Sequence, residues 1–399
     1  MVAGSTVCGD WAIAGPASRV SAAVTAATAM RFMVPPLSVR SPVGHLSVAV
    51  GRDGVNDASG GLTHHPAAGS GDPDGAGTRS PPRRYRRPMQ SSSFTLATPD
   101  GTQLHVNRWL PDGPPKAVVQ VAHGMAEHSD RYARFAERLT AAGYAVYASD
   151  HRGHGSTART SGDAGYFADD HGFDTVVDDL HLVSDHAREE NPGLPFFLFG
   201  HSMGSFLSRS YAARFGADLD GLVLSGTAGD PGALGKVGLA LATAQARLRG
   251  RRHTSGLMDQ LTFGQYNSAF KPNRTKFDWL SRDEAEVDKY VADERCGNVF
   301  TSGFFADLLG GLGAINTDAL ASRVPKDLPI FLFSGGLDPV GEKGKGPTAV
   351  AEQYRRLGSA DVTLKLWPQG RHEMLNEINR DEVMDSVVAW LDAHLPAQG

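Results

Sequence analysis

The chain has 399 residues, 41% hydrophobic, 8% aromatic and 21% charged, which is near the globular average and excludes collagen-like, mucin-like and wholly disordered chains. Its formal net charge of -5 supplies no global basic field for nucleic acid, and no apolar run approaches the roughly 18–20 residues that span a bilayer. Two cysteines, Cys8 and Cys296, cannot build a disulfide framework and fit a reducing compartment or a protein indifferent to redox; a cytoplasmic location, peripheral to membrane at most, is expected.

Residues 1–88 stand apart. Their only aromatics are Trp11, Phe32 and Tyr85, and from Asp53 to Pro88 little could be buried. Such a stretch cannot offset its ordering entropy, so a disordered low-complexity tail is expected, or a start misassigned upstream of Met89. The basic run Arg83-Arg84-Tyr85-Arg86-Arg87 reads as a solvated cluster. No basic n-region leads into a continuous apolar stretch, which argues against a secretion signal.

Residues 89–399 read as one domain, with regular patterning from Ser93. Phe94 and Leu96, then Leu104, Val106 and Trp109, flank the turn Pro99-Asp100-Gly101 and predict a hairpin. Strands follow at Ala117–Ala122, Tyr144–Ser149, Phe196–Phe199 and Leu219–Ser225, alternating with helices at Arg131–Ala142, Phe173–Arg188 and Ser202–Phe215. The alternation pauses from about 228 to 324, a block of helices and loops that reads as a cap insertion. It resumes with strand Ile330–Phe333, helix Pro347–Leu357, strand Val362–Leu366 and helix Arg380–Leu395. Strands alternating with helices predict an α/β fold: a mostly parallel central sheet flanked by helices.

Within this pattern the strand Phe196–Phe199 runs into Gly200-His201-Ser202-Met203-Gly204, and a helix follows at once. A strand that turns sharply into a helix holds the corner serine above the sheet, with unpaired helix N–H groups beneath it. Serine needs a base and an orienting acid. His372 follows the strand Val362–Leu366, and Asp338 follows Ile330–Phe333, with Asp230 as a substitute for the acid. The order Ser202, Asp338, His372 is that of an α/β-hydrolase triad. The loop His123-Gly124-Met125 after Ala117–Ala122 should add the Met125 N–H to the Met203 N–H as an oxyanion hole. Asp150-His-Arg-Gly-His-Gly-Ser156 suits a tight, internally hydrogen-bonded loop better than a metal site. No phosphate-cradling glycine loop or metal-ligand spacing appears, so neither cofactor nor metal is expected.

His123-Gly-Met-Ala-Glu-His128, Asp150-His-Arg-Gly-His-Gly-Ser156 and Gly200-His-Ser-Met-Gly204 together resemble the monoacylglycerol lipase/lysophospholipase branch of the serine α/β-hydrolases, and Phe277-Asp-Trp-Leu-Ser-Arg282 with Cys296-Gly297 resembles its bacterial members. The resemblance covers about Ser93–Leu395. It implies Ser202, Asp338 and His372 as triad, Met125 and Met203 as oxyanion donors, and a monoacylglycerol or lysophospholipid ester as substrate. The same branch includes small-ester esterases and is similar to serine aminopeptidases. An aminopeptidase would need an acidic pocket, for which Asp283, Glu284 and Glu286 are candidates, although they read as a solvated helix start. A binding protein that lost its chemistry would lack a triad member, and dehalogenase or epoxide-hydrolase chemistry would need an aspartate at position 202.

The cap should govern specificity. Phe300, Phe304, Phe305, Leu308 and Leu309 form two adjacent rows at helical spacing, which would either pack the cap on the sheet domain or line an acyl channel. Arg247, Arg249, Arg251 and Arg252 beside Val237–Leu241 would let the cap rest peripherally on an anionic bilayer.

Overall fold

The computed structural model describes residues 89–396; the expected 1–88 tail lies outside them. The hairpin forms as β1 (Gln90–Ala97) and β2 (Gln103–Leu110), paired antiparallel. Then come β3 (Ala117–Ala122), α1 (Ala133–Ala141), β4 (Tyr144–Ser149), α2 (Gly155–Ser161), α3 (Gly172–Glu190), β5 (Phe196–His201), α4 (Met203–Phe215) and β6 (Gly221–Ser225). Between β6 and β7 lie α5 (Gly232–Arg249), α6 (Gly256–Phe263), α7 (Glu284–Ala292), α8 (Ser302–Ile315) and α9 (Asp318–Ala321). The chain ends with β7 (Ile330–Gly335), α10 (Lys345–Arg356), β8 (Val362–Trp367) and α11 (Arg380–Ala393).

The eight strands form one sheet in the order β1-β2-β4-β3-β5-β6-β7-β8. β2 pairs antiparallel with β4, and every pairing from β4 to β8 is parallel. Central strands buried on both faces explain the continuous apolar runs. Along β5, Phe196 and Leu198 enter one core, with Val118, Leu222 and Leu332. Phe197 and Phe199 enter the other, with Val119, Val223 and Phe331.

The segment between β6 and β7 contains, among the described residues, no named strand, only an isolated bridge between Thr254 and Thr301. On α8, Phe304, Phe305 and Leu308 are buried in the core that carries Phe173, Phe206 and Phe167, as is Phe300 just ahead of the helix. Those residues therefore pack this segment onto the sheet domain. The short helix α2 was not read from the sequence: Gly-Ser-Thr-Ala-Arg-Thr-Ser offers no apolar periodicity. Among the described residues, no helix is long and apolar enough to cross a membrane.

Candidate active site

The parallel register places the carboxyl ends of β3, β5, β6, β7 and β8 together, and the candidate residues come from the loops leaving them. At the end of β5, Ser202 takes φ 52 and ψ -121, outside the regions that L residues ordinarily occupy. Its N–H donates to the Ser225 carbonyl at 2.9 Å, and its own carbonyl accepts the Ser205 N–H at 2.8 Å, so the corner is held from both sides. A methyl group at Gly204 would penetrate the Ala122 carbonyl of β3, which explains why that position carries no side chain. Met203, buried at 1% exposure, opens α4, and the first N–H of a helix has no intrahelical acceptor.

The loop after β3 closes over this corner. A Cβ built on Gly124 would stand 3.2 Å from Ser202 Cβ. The Gly124 N–H donates to Glu127 Oε1 at 2.6 Å, and the next residue is Met125. Ala126 then turns through φ 60, and its carbonyl accepts from Tyr290 Oη at 2.9 Å and the Gly297 N–H at 3.0 Å. The strained turn is thus clamped by the segment between β6 and β7.

Asp338 and His372 are brought together. His372 Nδ1 lies 3.0 Å from Asp338 Oδ2, with the side chains at 2% and 0% residue exposure. The carboxylate is itself oriented: Ser334 Oγ donates to Oδ2 at 3.0 Å and the Val340 N–H to Oδ1 at 2.9 Å. Burial opposes protonation of His372, but the Asp338 carboxylate outweighs burial and raises the imidazole pKa. A Cβ built on Gly226, the residue after Ser225, would stand 3.0 Å from His372 Cε1. The imidazole therefore overhangs the strand end to which Ser202 is tied. The substitute acid Asp230 is exposed and accepts the Gly232 N–H at 2.9 Å.

Several residues at the site were not found from the sequence. The Trp279 ring lies 5.1 Å from that of His372, and the Trp279 carbonyl accepts the His372 N–H at 3.3 Å. Arg131 donates to Glu127 Oε2 at 2.5 Å and, in a fork, to both oxygens of Glu373 at 2.7 and 2.6 Å. Tyr132 donates to Glu127 Oε1 at 2.8 Å. This buried network ties the Gly124 loop to the residue that follows His372. Burial disfavours the Glu373 carboxylate, but Arg131 more than compensates and brings it down to about 2. The ring of His201 lies 4.8 Å from that of His372; burial, then repulsion from His372, lowers its pKa to about 4.

The Asp150–Ser156 loop is internally bonded. Asp150 accepts from the Ser129 N–H at 2.8 Å, Ser129 Oγ at 2.6 Å and the Ser156 N–H at 2.7 Å. His151 and His154 cluster there with His123 of the loop after β3, one ring pair tilted and two edge-to-face, with ring centroids 4.0, 5.2 and 6.2 Å apart. Burial pushes His151 down to about 3 and His154 to about 4, and holds His123 well below the ordinary histidine range. The acidic residues considered for an ammonium pocket are engaged elsewhere. Asp283 caps α7 and pairs with Arg380 at 2.6 Å, and Glu284 lies 3.7 Å from Arg274. Glu286, expected in solvent, is instead 8% exposed and pairs with Arg134 and Lys289, both at 2.8 Å.

Residues 113–379 match the family model described as Serine aminopeptidase, S33. The chain is 31% identical over 305 residues to a monoacylglycerol lipase of Mycolicibacterium smegmatis, covering 76% of this chain and 98% of that protein. It is 30% identical over 315 residues to the monoglyceride lipase of Homo sapiens, covering 77% and 92%. A carboxyl esterase from Bacillus coagulans, solved in complex with glycerol, superposes with a TM-score of 0.72 at 31% identity, covering 77% of this chain and 99% of that one.

Proposed function

The chain belongs to the serine aminopeptidase S33 family of α/β-hydrolases and to its monoacylglycerol lipase-like branch, and on that premise we propose that Ser202, His372 and Asp338 carry the hydrolysis of a monoacylglycerol-type ester. The protein is a serine ester hydrolase. The observation that supports the residue assignment is the buried His372–Asp338 pair, whose imidazole lies against Gly226 next to the Ser225 carbonyl that binds the Ser202 N–H.

In the first half-reaction Ser202 Oγ attacks the ester carbonyl carbon and its proton passes to His372 Nε2. Asp338 fixes the tautomer with the Nδ1 proton and stabilises the imidazolium. The carbonyl oxygen becomes an oxyanion, which the Met125 and Met203 N–H groups receive. Collapse breaks the bond to the alcohol oxygen, which takes the proton from His372. In the second half, water gives a proton to His372, its oxygen attacks the acyl-enzyme, and the acid and free Ser202 are restored.

We place the block 228–324 as a cap that selects the acyl donor. On α5, Leu234, Val237 and Leu248 share a face and are 81%, 53% and 86% exposed, which supports peripheral contact of a cytoplasmic enzyme with lipid. Arg251 and Arg252 take less part in that contact than their sequence suggests, because Arg251 pairs with Asp307 at 2.6 Å and Arg252 with Asp163. Arg247 and Arg249 remain exposed beside the face. The aminopeptidase reading gains nothing from Asp283 and Glu286, whose charges are already paired.

The test is turnover of a monoacylglycerol and p-nitrophenyl ester series beside aminoacyl-nitroanilides, with fluorophosphonate labelling. Ester turnover and labelling, both abolished in Ser202→Ala, are expected. Faster nitroanilide turnover, or labelling that survives the substitution, would overturn the assignment.

A further inference from the structure

A second constellation lies where the Gly124–His128 loop meets the turn after α7. His128, Asp293 and Cys296 offer one nitrogen, one oxygen and one sulfur atom, all within 4.8 Å of one another. Ligands bonded at about 2.0–2.3 Å to a common tetrahedral ion stand roughly 3.2–3.8 Å apart, so small side-chain movements would suffice. His128 is 1% exposed, and its Nε2 lies 2.9 Å from Asp293 Oδ2. Arg295 holds Asp293 Oδ1 through its N–H at 2.9 Å and Nε at 3.3 Å, and its Nη2 reaches Oδ2 at 3.4 Å, so Oδ2 is shared between the histidine and the edge of the guanidinium.

Two further observations point to a ligand. His128 Nδ1 is buried without a hydrogen-bond partner, and the nearest carboxylate oxygen, Asp130 Oδ2, is 3.8 Å away. In the arrangement present, an Nε2 proton bonds Asp293 and leaves the Nδ1 lone pair unsatisfied in the interior. An ion on Nε2 would move that proton to Nδ1, facing Asp130. This is the carboxylate–histidine–metal relay that commonly supports a ligating imidazole. The surroundings are also anionic: Asp130, Asp293, Glu127 and Glu373 outnumber the guanidinium groups of Arg131 and Arg295, which pair with them.

The geometry points to a binding site for a thiophilic divalent cation of the zinc class, formed by His128 Nε2, Asp293 Oδ2 and Cys296 Sγ, with water in the fourth position. Binding forms the metal–sulfur bond and releases the thiol proton to solvent, while the histidine proton stays on the ring. Nothing in the ester chemistry uses this site. It would nonetheless reach that chemistry, because the same turn supplies the Gly297 N–H that grips the Ala126 carbonyl. His128 and Asp293 are 165 positions apart in the chain, so no local spacing announced the site.

The test is titration of the chelator-treated full-length protein with cobalt(II), then zinc. One cobalt per chain with a thiolate charge-transfer band, displaced by zinc, is expected. Cys296→Ser should abolish the band and weaken zinc at least tenfold, with ester turnover unchanged in the metal-free protein. Cys8→Ser should keep the band, and Asp293→Asn should weaken zinc without loss of fold by circular dichroism. A missing band, a band that survives Cys296→Ser, or one that is lost in Cys8→Ser would refute the site.

Discussion

Replacing Arg131 by methionine tests the buried network that joins the Gly124 loop to the loop carrying His372. The substitution keeps much of the side-chain volume but leaves Glu127 and Glu373 facing each other without a cation. Removing one partner of a buried ion pair costs about 3–5 kcal/mol. The Glu373 carboxylate is held well below its ordinary pKa because Arg131 outweighs the cost of burial, so the same pair stabilises the fold. Because the folded-state value is depressed, this stabilisation is present above the ordinary glutamate pKa and fades as pH falls toward 2. Urea unfolding at pH 7 should therefore show Arg131→Met less stable by about 3 kcal/mol or more. The deficit should shrink at pH 5, where a Glu373 freed of its cation can take up a proton. Adding Glu373→Gln to Arg131→Met should restore part of the loss, since only one carboxylate then stays buried. Ester turnover should fall roughly 100-fold, because Glu127 would no longer hold the Gly124 N–H in place. A pH 7 difference under about 1 kcal/mol, against the 3–5 expected of a broken buried pair, or no recovery in the double variant, would refute this account.

The remaining expectations concern the triad, the corner and the histidine cluster. Asp338→Asn should lower kcat by roughly 10⁴, as loss of the orienting acid does in serine hydrolases. Since Asp338 raises the His372 pKa, the acid limb of kcat/KM should lie above the ordinary value of about 6.5 in the parent and move down in the variant, as a pH–rate profile will show. Gly204→Ala should destabilise by about 1–3 kcal/mol and cut turnover at least 100-fold, read by thermal melting and steady-state kinetics, because the methyl group must push β3 away. Acid should unfold the protein steeply: each of His151 and His154 is neutral when folded and costs about 1.4 kcal/mol per pH unit below about 6.5 until its own lowered value is reached. Melting curves at pH 6.5 and 4.5 should show His154→Phe less acid-sensitive than the parent; an unchanged slope would dissociate the cluster from acid lability.

The sheet was legible because its central strands are apolar on both faces. β3 and β4 appear with the residue limits their hydrophobic runs predict, and β5, β7 and β8 extend only one or two residues beyond them. The proposed Ser202, Asp338 and His372 could be picked out for a related reason: each lies in the loop that follows a strand, and parallel strands deliver their carboxyl ends to one side of the sheet. What stayed hidden depends on long-range pairing. Arg131 and Glu373 are 242 positions apart, and each alone reads as a surface charge. Glu286 looked solvated because its burial is imposed by Arg134, on a helix remote in sequence. Trp279 gave no sign of its place beside His372, since loops carry no periodicity from which contact can be inferred.

The attachment of residues 278–281 bears on how the proposed cap could move. The carbonyls of Trp279 and Leu280 accept the N–H groups of His372 and Glu373, the latter at 2.7 Å, while Ser281 Oγ donates to the Asn376 carbonyl at 2.8 Å. The Arg371 guanidinium reaches the Asp278 and Ser281 carbonyls as well. This stretch is riveted to the strip of backbone that presents the imidazole, so swinging it aside would break the hydrogen bonds that hold His372, the proposed base, in place. On the proposed reading the cap has one fixed edge, and that edge carries the proposed base.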